Sequence, residues 1–278
     1  MPDASSAGPP ERVGTARLIQ AHGLRPDKDF GQNFLLDENL CDVAVRDARV
    51  GPDDVVLEVG PGVGTLTAAI ARQSAHVHAV EIDRRLEPAL AESLGAFTNV
   101  QIHWGDVMKL DLTALDPVPT RVVANLPYNI ATPIVMESLW KLPQVGVWAV
   151  MVQREVADRW VASVGSALYG AATVLLAMCT RQLFLRPVPP TVFMPRPHVD
   201  SAIVGLERTG PAPSAHVRAV VVGAFGQRRK TLLNSVSAAG WDKAQVAAAL
   251  EQSGLAPTAR AQELGPDQFI AFAGALGA

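Results

Sequence analysis

Between residues 55 and 153 strand-like and helix-like segments alternate, and this alternation constrains the fold more than any other feature. The strand-like runs are VVLEVG (55–60), HVHAVEID (76–83), NVQIHWGD (99–106), RVVANLPY (121–128) and VGVWAVMVQ (145–153). Among them lie TLTAAIARQ (65–73), RRLEPALAESL (84–94) and a helical stretch around IVMESLW (134–140). Strands separated by helices are joined by crossovers, so the pattern predicts an α/β fold with a mostly parallel, doubly wound sheet. The first run is apolar and ends in glycine, which suits a strand buried on both faces.

The flanking segments read differently. Residues 1–12 are rich in Pro, Ser, Ala and Gly and read as a disordered leader, with neither the basic nor the apolar region of a secretory signal. VGTARLIQAHGL (13–24) suggests a short helix. Asp37 is placed to cap a second helix running to about Arg49, with Leu40, Val43 and Ala44 on its apolar face. WVASVGSALYGAATVLLAMCT (160–180) is uncharged and long enough to span a bilayer, but Ser163, Gly165, Ser166 and Gly170 interrupt it. A loop followed by a buried helix is the better reading. The alternation stops near residue 209, where TGPAPSA (209–215) reads as a linker. Helices are expected at 216–238, at 243–253 between Asp242 and Gly254, and over PDQFIAFAGAL. The expected division is an α/β domain over 13–209 and a small all-helical domain over 210–278.

Apolar residues make up 49% and charged residues 18% of the 278, which is a globular composition. The net charge of −3 argues against a protein that coats nucleic acid by bulk charge. The charge is uneven, however: −2 over residues 1–50, −5 over 51–150 and +4 over 151–278. Cys41 and Cys179 cannot form a disulfide framework and fit a reducing cytosol, so a cytoplasmic protein with no membrane association is expected. No His/Cys cluster has metal-ligand spacing, and no metal is expected. His76 and His78 alternate along a strand and read as structural.

Chemistry concentrates at the ends of the strand-like runs. The first leads into Gly60-Pro61-Gly62-Val63-Gly64 and then a helix. Glycines there allow a tight turn and close approach of the backbone to a ligand. Glu81 ends the second run, 21 residues after Gly60, where a carboxylate can accept both hydroxyls of a ribose. Asp106 ends the third, placed to accept from an adenine amine. The set points to an adenosine-containing cofactor without separating a nicotinamide dinucleotide from S-adenosylmethionine. EVGPGVG resembles the first motif of methyltransferases more than the dinucleotide fingerprint, because Thr65 and Leu66 stand where the last glycine is required.

Asn125-Leu126-Pro127-Tyr128 ends the fourth run and resembles the tetrapeptide of methyltransferases that modify exocyclic base amines. Such an amine is a poor nucleophile, because its lone pair is delocalised into the ring. The Asn125 side-chain oxygen and the Leu126 carbonyl can accept its hydrogens and draw the nitrogen toward sp³ geometry. Pro127 stiffens the turn, and Tyr128 offers a face on which an extruded base can stack. Alternatively, the asparagine merely caps the next helix. Phe193, at the start of FMPRPHVDS (193–201), either covers the base opposite Tyr128 or fills the core. Arg196 and His198 in that loop meet phosphates or are simply solvated.

Taken together, the chain resembles the ribosomal RNA adenine dimethyltransferases of the KsgA/RsmA type. The stretches that carry the likeness are FGQNFL (30–35), LEVGPGVGTLT (57–67), VEID (80–83), GD (105–106), NLPYNIATP (125–133), MVQREV (151–156), FMPRPHVDSA (193–202) and FGQRRKTLLNS (225–235). The resemblance implies a Rossmann-like class I methyltransferase domain and a helical C-terminal domain that contributes to RNA binding. It implies dimethylation of two adjacent adenosines near the 3′ end of small-subunit (16S) rRNA, within a pre-30S particle during ribosome assembly, by a monomer. The donor would be S-adenosyl-L-methionine and the product S-adenosyl-L-homocysteine. By the same resemblance Asn33, Leu35, Gly60, Gly62, Glu81, Asp106 and Asn125 bind the cofactor, while Asn125, Leu126, Pro127, Tyr128 and Phe193 shape the adenine site. Ala131 departs from the serine common in the family.

Arg228-Arg229-Lys230 completes the set of candidates. On a continuous helix Val221, Phe225, Leu232 and Val236 share an apolar face, with Arg228 and Arg229 on or beside it and Lys230 pointing away. The two arginines are then expected to reach RNA phosphates or to form an interdomain salt bridge. Three rivals to the leading reading remain at this level. They are an antibiotic-resistance methylase of large-subunit rRNA, a non-catalytic assembly or transcription factor, and a nicotinamide-dependent dehydrogenase.

Overall fold

The computed structural model describes residues 13–27 and 31–277. The expected leader (1–12) and Phe30 of FGQNFL lie outside the described residues. The chain begins with α1 (Thr15–Ala21), β1 (Phe34–Leu35), α2 (Glu38–Asp47), β2 (Val55–Val59), α3 (Thr65–Ala71), β3 (His76–Glu81), α4 (Glu87–Leu94), β4 (Val100–Trp104) and β5 (Arg121–Asn125). It continues with α5 (Ala131–Lys141), β6 (Val147–Gln153), α6 (Arg154–Trp160), α7 (Ala171–Ala177), β7 (Thr180–Val188), β8 (Phe193–Met194) and β9 (Ser201–Arg208). The last elements are α8 (Ala215–Phe225), α9 (Leu232–Ala238), α10 (Lys243–Gln252) and α11 (Pro266–Leu276).

Seven strands form one sheet in the order β4-β3-β2-β5-β6-β9-β7. β2 through β6 are parallel, and β9 runs antiparallel to β6. Every residue of β2 is buried, as the apolar run requires. From β2 the chain first moves outward to β3 and β4, then returns to β5 on the other side. The switch between β2 and β5 opens a crevice at the C-terminal strand ends, where such sheets bind ligands. A separate two-stranded ribbon pairs β1 with β8, Leu35 opposite Phe193.

Asp37 caps α2 as expected, its side chain accepting from the Leu40 amide. The face it buries is Cys41, Ala44, Val45 and Ala48, so the stripe is rotated from the one read in the sequence. These residues pack with Leu66, Ile70, Val56 and Val123 in the core. Leu18 and Ile19 of α1 pack with Leu86, Ala89 and Leu90 at the start of α4.

Two compact units are present; the break expected near residue 209 falls between Glu207 and Arg208, but an earlier segment, Glu155–Gln182, joins the second unit. The first comprises residues up to 154 together with Leu183–Glu207; the second comprises Glu155–Gln182 together with the chain from Arg208 onward. The reason lies in the uncharged segment 160–180. Its loop is fastened to later residues: the Tyr169 hydroxyl donates to the Leu264 carbonyl at 2.9 Å and the Gly165 amide to Gln262 at 2.9 Å. Tyr169 meets the Phe225 ring edge-on at 6.1 Å. No helix among the described residues is long and apolar enough to cross a membrane.

The helix expected over 216–238 is two helices. α8 stops at Phe225, residues 226–230 form a turn and bend, and Thr231 in extended conformation caps the start of α9. Gly226 is a poor helix residue, and the Ser235 hydroxyl donates back to the Gln227 carbonyl at 3.2 Å, holding the turn. Arg228, Arg229 and Lys230 therefore stand on an exposed connection and not along a helix face.

Candidate active site

A cleft of about 930 Å³, counted to its open mouth, lies at the C-terminal ends of β2, β3, β4 and β5. It is within the usual size of small-molecule sites. Asn33, Leu35, Gly60, Gly62, Glu81, Asp106, Asn125, Leu126, Pro127 and Tyr128 all line it. Residues distributed over nearly a hundred positions of sequence thus converge on one cavity.

The glycine loop has the backbone its sequence suggested. Gly62 sits at φ 61°, and a Cβ there would stand 3.1 Å from the Phe34 ring. Gly64, at φ 88°, begins α3, and a Cβ there would lie 2.6 Å from the Ser93 hydroxyl. Only glycine fits such positive φ values combined with such close packing.

Glu81 is 4% exposed and held by three backbone amides. One oxygen accepts from Ile82 at 2.9 Å and Asp83 at 2.8 Å, and the other from Gly62 at 3.3 Å. Burial pushes its carboxyl up, and the amides oppose that shift. Behind it, Asp83 accepts from Arg85 and Gln32, which hold its carboxyl below the usual range. Gln32 thereby ties the loop before β1 to the end of β3. Asp106 stands two residues beyond β4, where one oxygen accepts from the Met108 amide at 2.9 Å and the other lies 3.7 Å from Lys109 Nζ.

Asn125 ends β5, and its side-chain nitrogen donates to the Asn33 carbonyl at 3.0 Å. Among the described residues no donor reaches its side-chain oxygen. The Leu126 amide donates to the Met151 carbonyl at 3.0 Å, fixing the Asn125–Leu126 peptide that precedes the one carrying the Leu126 carbonyl. Tyr128 is half-buried, and its hydroxyl shares a 2.7 Å hydrogen bond with Ser201. Burial raises its pKa, so it remains a neutral phenol.

Phe193 is where sequence reading and structure part. At 2% exposure it packs against Leu35, Cys41 and Ile203, and it does not line the cleft. Pairing of Phe193 with Leu35 in the ribbon turns the ring into the core, so the structure takes the core-filling alternative and not the cover for a base. Arg196 and His198 are exposed on the loop that follows. Arg228 is fastened within its own unit: its guanidinium donates to the carbonyls of Ala167 and Tyr169 at 2.9 and 2.8 Å.

Of the lining residues without a role expected from the sequence, one is ionisable. Glu58, 1% exposed in the middle of β2, borders the cavity. Its Oε2 and the Thr67 hydroxyl are buried without hydrogen-bond partners among the described residues. Burial raises its pKa to about 8, with the charge of Glu81 adding to the shift and Thr67 opposing it. The signal was a lone acid in an otherwise apolar strand.

A family model described as ribosomal RNA adenine dimethylase matches residues 23–276. The chain belongs to the ribosomal RNA adenine dimethylase family. Two relatives support the assignment closely. The ribosomal RNA small subunit methyltransferase A of Moorella thermoacetica is 40% identical over 94% of this chain and 96% of its own. Its namesake from Rubrobacter xylanophilus is 44% identical over 89% of this chain and 94% of its own. Among solved structures, the 23S rRNA methyltransferase ErmE is 27% identical, with a TM-score of 0.66 over 88% of this chain and all of that one. A dimethyladenosine transferase from Plasmodium falciparum, 22% identical with a TM-score of 0.74 over 86% of this chain and 95% of its own, shares the fold. Membership makes the chain a methyltransferase with the class I fold, and it removes the dehydrogenase reading.

Proposed function

We propose that this adenine dimethylase family member transfers methyl groups from S-adenosyl-L-methionine to the exocyclic amines of two adjacent adenosines near the 3′ end of small-subunit rRNA. The observation that carries the proposal is the convergence of Asn125-Leu126-Pro127-Tyr128 with Glu81 and Asp106 on one cleft. The small-subunit target is favoured by the 40–44% identity to relatives named for that subunit, against 27% to ErmE.

The cleft fits the cofactor on its own chemistry. Asp106 offers an acceptor for an adenine amine, and Glu81 a carboxylate for ribose hydroxyls. The unpartnered Glu58 oxygen marks a polar contact that the protein leaves for a ligand. When bound, S-adenosyl-L-methionine supplies a methyl group on a cationic sulfonium and leaves as S-adenosyl-L-homocysteine. The protein's part is positioning. Asn125 Oδ1 and the Leu126 carbonyl accept the two amine hydrogens and orient the nitrogen lone pair toward the methyl. Tyr128, pinned by Ser201, gives the adenine a rigid stacking surface. The proton released by the amine passes to solvent.

RNA contacts are assigned to exposed basic groups, Arg196, His198, Arg229 and Lys230, and to the turn that Arg228 anchors. In this reading residues 210–278 contribute to RNA binding, and a monomer acts in the cytoplasm on a pre-30S particle, with no membrane role. The test is incubation with labelled S-adenosyl-L-methionine and either undermethylated small subunits or naked large-subunit rRNA, followed by digestion to nucleosides. Dimethyladenosine from small subunits alone is expected. Label confined to the large-subunit RNA would transfer the assignment to the resistance-methylase reading.

A further inference from the structure

The orientation of the Asn125 amide is set by a contact from its nitrogen to the Asn33 carbonyl. Pairing of β5 with β6 fixes the Asn125 backbone, but it leaves the side-chain amide free to turn about its last bond. Whether oxygen or nitrogen meets the target amine therefore depends on what holds Asn33. On its C-terminal side Asn33 runs into the β1–β8 ribbon, where Phe34 pairs with Met194. On its N-terminal side stands Gln32.

Both ends of the Gln32 side-chain amide are engaged. Oε1 accepts from the Asp27 amide at 2.9 Å, and Nε2 donates to Asp83 Oδ2 at 2.9 Å. Asp83 is a firm anchor. It is 4% exposed, its backbone amide donates to Glu81 at 2.8 Å, and the Arg85 guanidinium clasps both of its oxygens at 2.7 Å. The same guanidinium reaches Asp27 at 2.9 Å, so Asp27 and Gln32 are tied to one point just beyond β3. Gly31 backs onto the turn that carries the tetrapeptide: a Cβ there would lie 3.6 Å from Asn129 Oδ1 and 3.8 Å from Pro127. The site asks for one donor and one acceptor on the same side chain, which an amide supplies and a carboxylate does not. We propose that Gln32 is a positioning residue for methyl transfer: through Asn33 it holds the Asn125 amide with Oδ1 toward the target amine. This rests on the function proposed above. The contribution is alignment, and a displacement of about 1 Å arising away from the reacting atoms can cost about a hundredfold in rate.

The test is a double-mutant cycle on the full chain. It reads the single-turnover rate of methyl transfer to undermethylated small subunits at saturating S-adenosyl-L-methionine, so that a change in cofactor affinity does not enter. Gln32→Met keeps the length of the side chain and removes both hydrogen bonds; Gln32→Ala is run alongside and should behave the same way. Each should lower the rate about ten- to a hundredfold in the wild-type background. In the Asn125→Ala background, where no amide is left to orient, each should lower it by less than about threefold. A residue that merely supports the fold would lower the rate by the same factor in both backgrounds. Calorimetric binding of S-adenosyl-L-homocysteine shows that the variants are folded. Equal factors in the two backgrounds, or Gln32 variants that keep the wild-type rate, overturn the role of Gln32 alone. A wild type that transfers no methyl group to small subunits overturns the proposed function, and this inference with it.

Discussion

The side-chain nitrogen of Asn125 donates to the backbone carbonyl of Asn33 across 3.0 Å, joining two residues 92 positions apart in the chain. A carbonyl only accepts, so the amide group has one sensible orientation, with Oδ1 turned away from Asn33. The loop before β1 thus sets the direction of the oxygen assigned to the target amine. Asn125→Ala removes that oxygen but leaves Glu81 and Asp106 in place. Turnover should fall by roughly two to three orders of magnitude, as when a positioned hydrogen-bonding group is lost from a transition state. The affinity for S-adenosyl-L-homocysteine should change only a few-fold. Turnover and calorimetric affinity measured on the same variant check both halves, and unchanged turnover refutes the assigned role.

Tyr128 separates two contributions. Its ring is the stacking surface, and its hydroxyl, bonded to Ser201, sets the ring's orientation. Tyr128→Phe keeps the surface and loses one neutral hydrogen bond, worth about 1 kcal/mol. Activity within about tenfold of wild type is expected. Tyr128→Ala removes the surface and should cost more than the phenylalanine variant in kcat/KM on RNA. Equal losses in the two would assign the function to the hydroxyl.

The sheet was legible because each strand is a short apolar run closed by a turn, and the site was legible because the cofactor-side residues sit at strand ends. What was not legible depended on partners distant in sequence. Phe193 turns inward because β8 pairs with β1, a contact that no local pattern announces. The placement of residues 155–182 with the C-terminal helices follows from the Tyr169 and Gly165 hydrogen bonds to residues 264 and 262. The break at Gly226 was hidden because the apolar spacing on either side of it continues in phase. Glu58 was visible as a lone acid in β2, but its missing partner could only be found in three dimensions.

Arg228 and Arg229 adjoin in sequence and differ in role. Arg228 ties the loop around Ala167 and Tyr169 to the turn after α8, whereas Arg229 is exposed with no side-chain partner among the described residues. Arg228→Ala should lower Tm by a few degrees, equivalent to about 1 kcal/mol for an exposed group, and speed hydrogen exchange over 163–170. Arg229→Ala should leave Tm unchanged and reduce the salt dependence of RNA binding by about one phosphate contact. A Tm loss in Arg229→Ala matching that of Arg228→Ala would erase this division of labour.

Away from the cleft, the sheet edge carries a pH-dependent contact between His78 and His103. His78 Nε2 lies 2.8 Å from the Pro117 carbonyl and must donate to it, so Nδ1 accepts from His103 Nε2 at 2.9 Å. A proton on His78 turns Nδ1 into a donor, so His103 must move its own ring proton from Nε2 to Nδ1 to keep the contact. Burial, the largest cause, lowers the pKa of both rings; the nearby His76 lowers both further, and for His78 the Pro117 carbonyl and Asp116 oppose the shift. Folded values below the usual histidine value mean that the unfolded chain binds more protons as acid is added. The stability present above about pH 6.5 is therefore lost as pH falls through the lower folded values. His103→Gln can still donate to His78 but carries no titrating ring. Its Tm should decline less steeply than that of wild type between about pH 7 and pH 5. Melting curves of the two proteins across that window decide the matter: superimposable pH profiles would place the titration elsewhere.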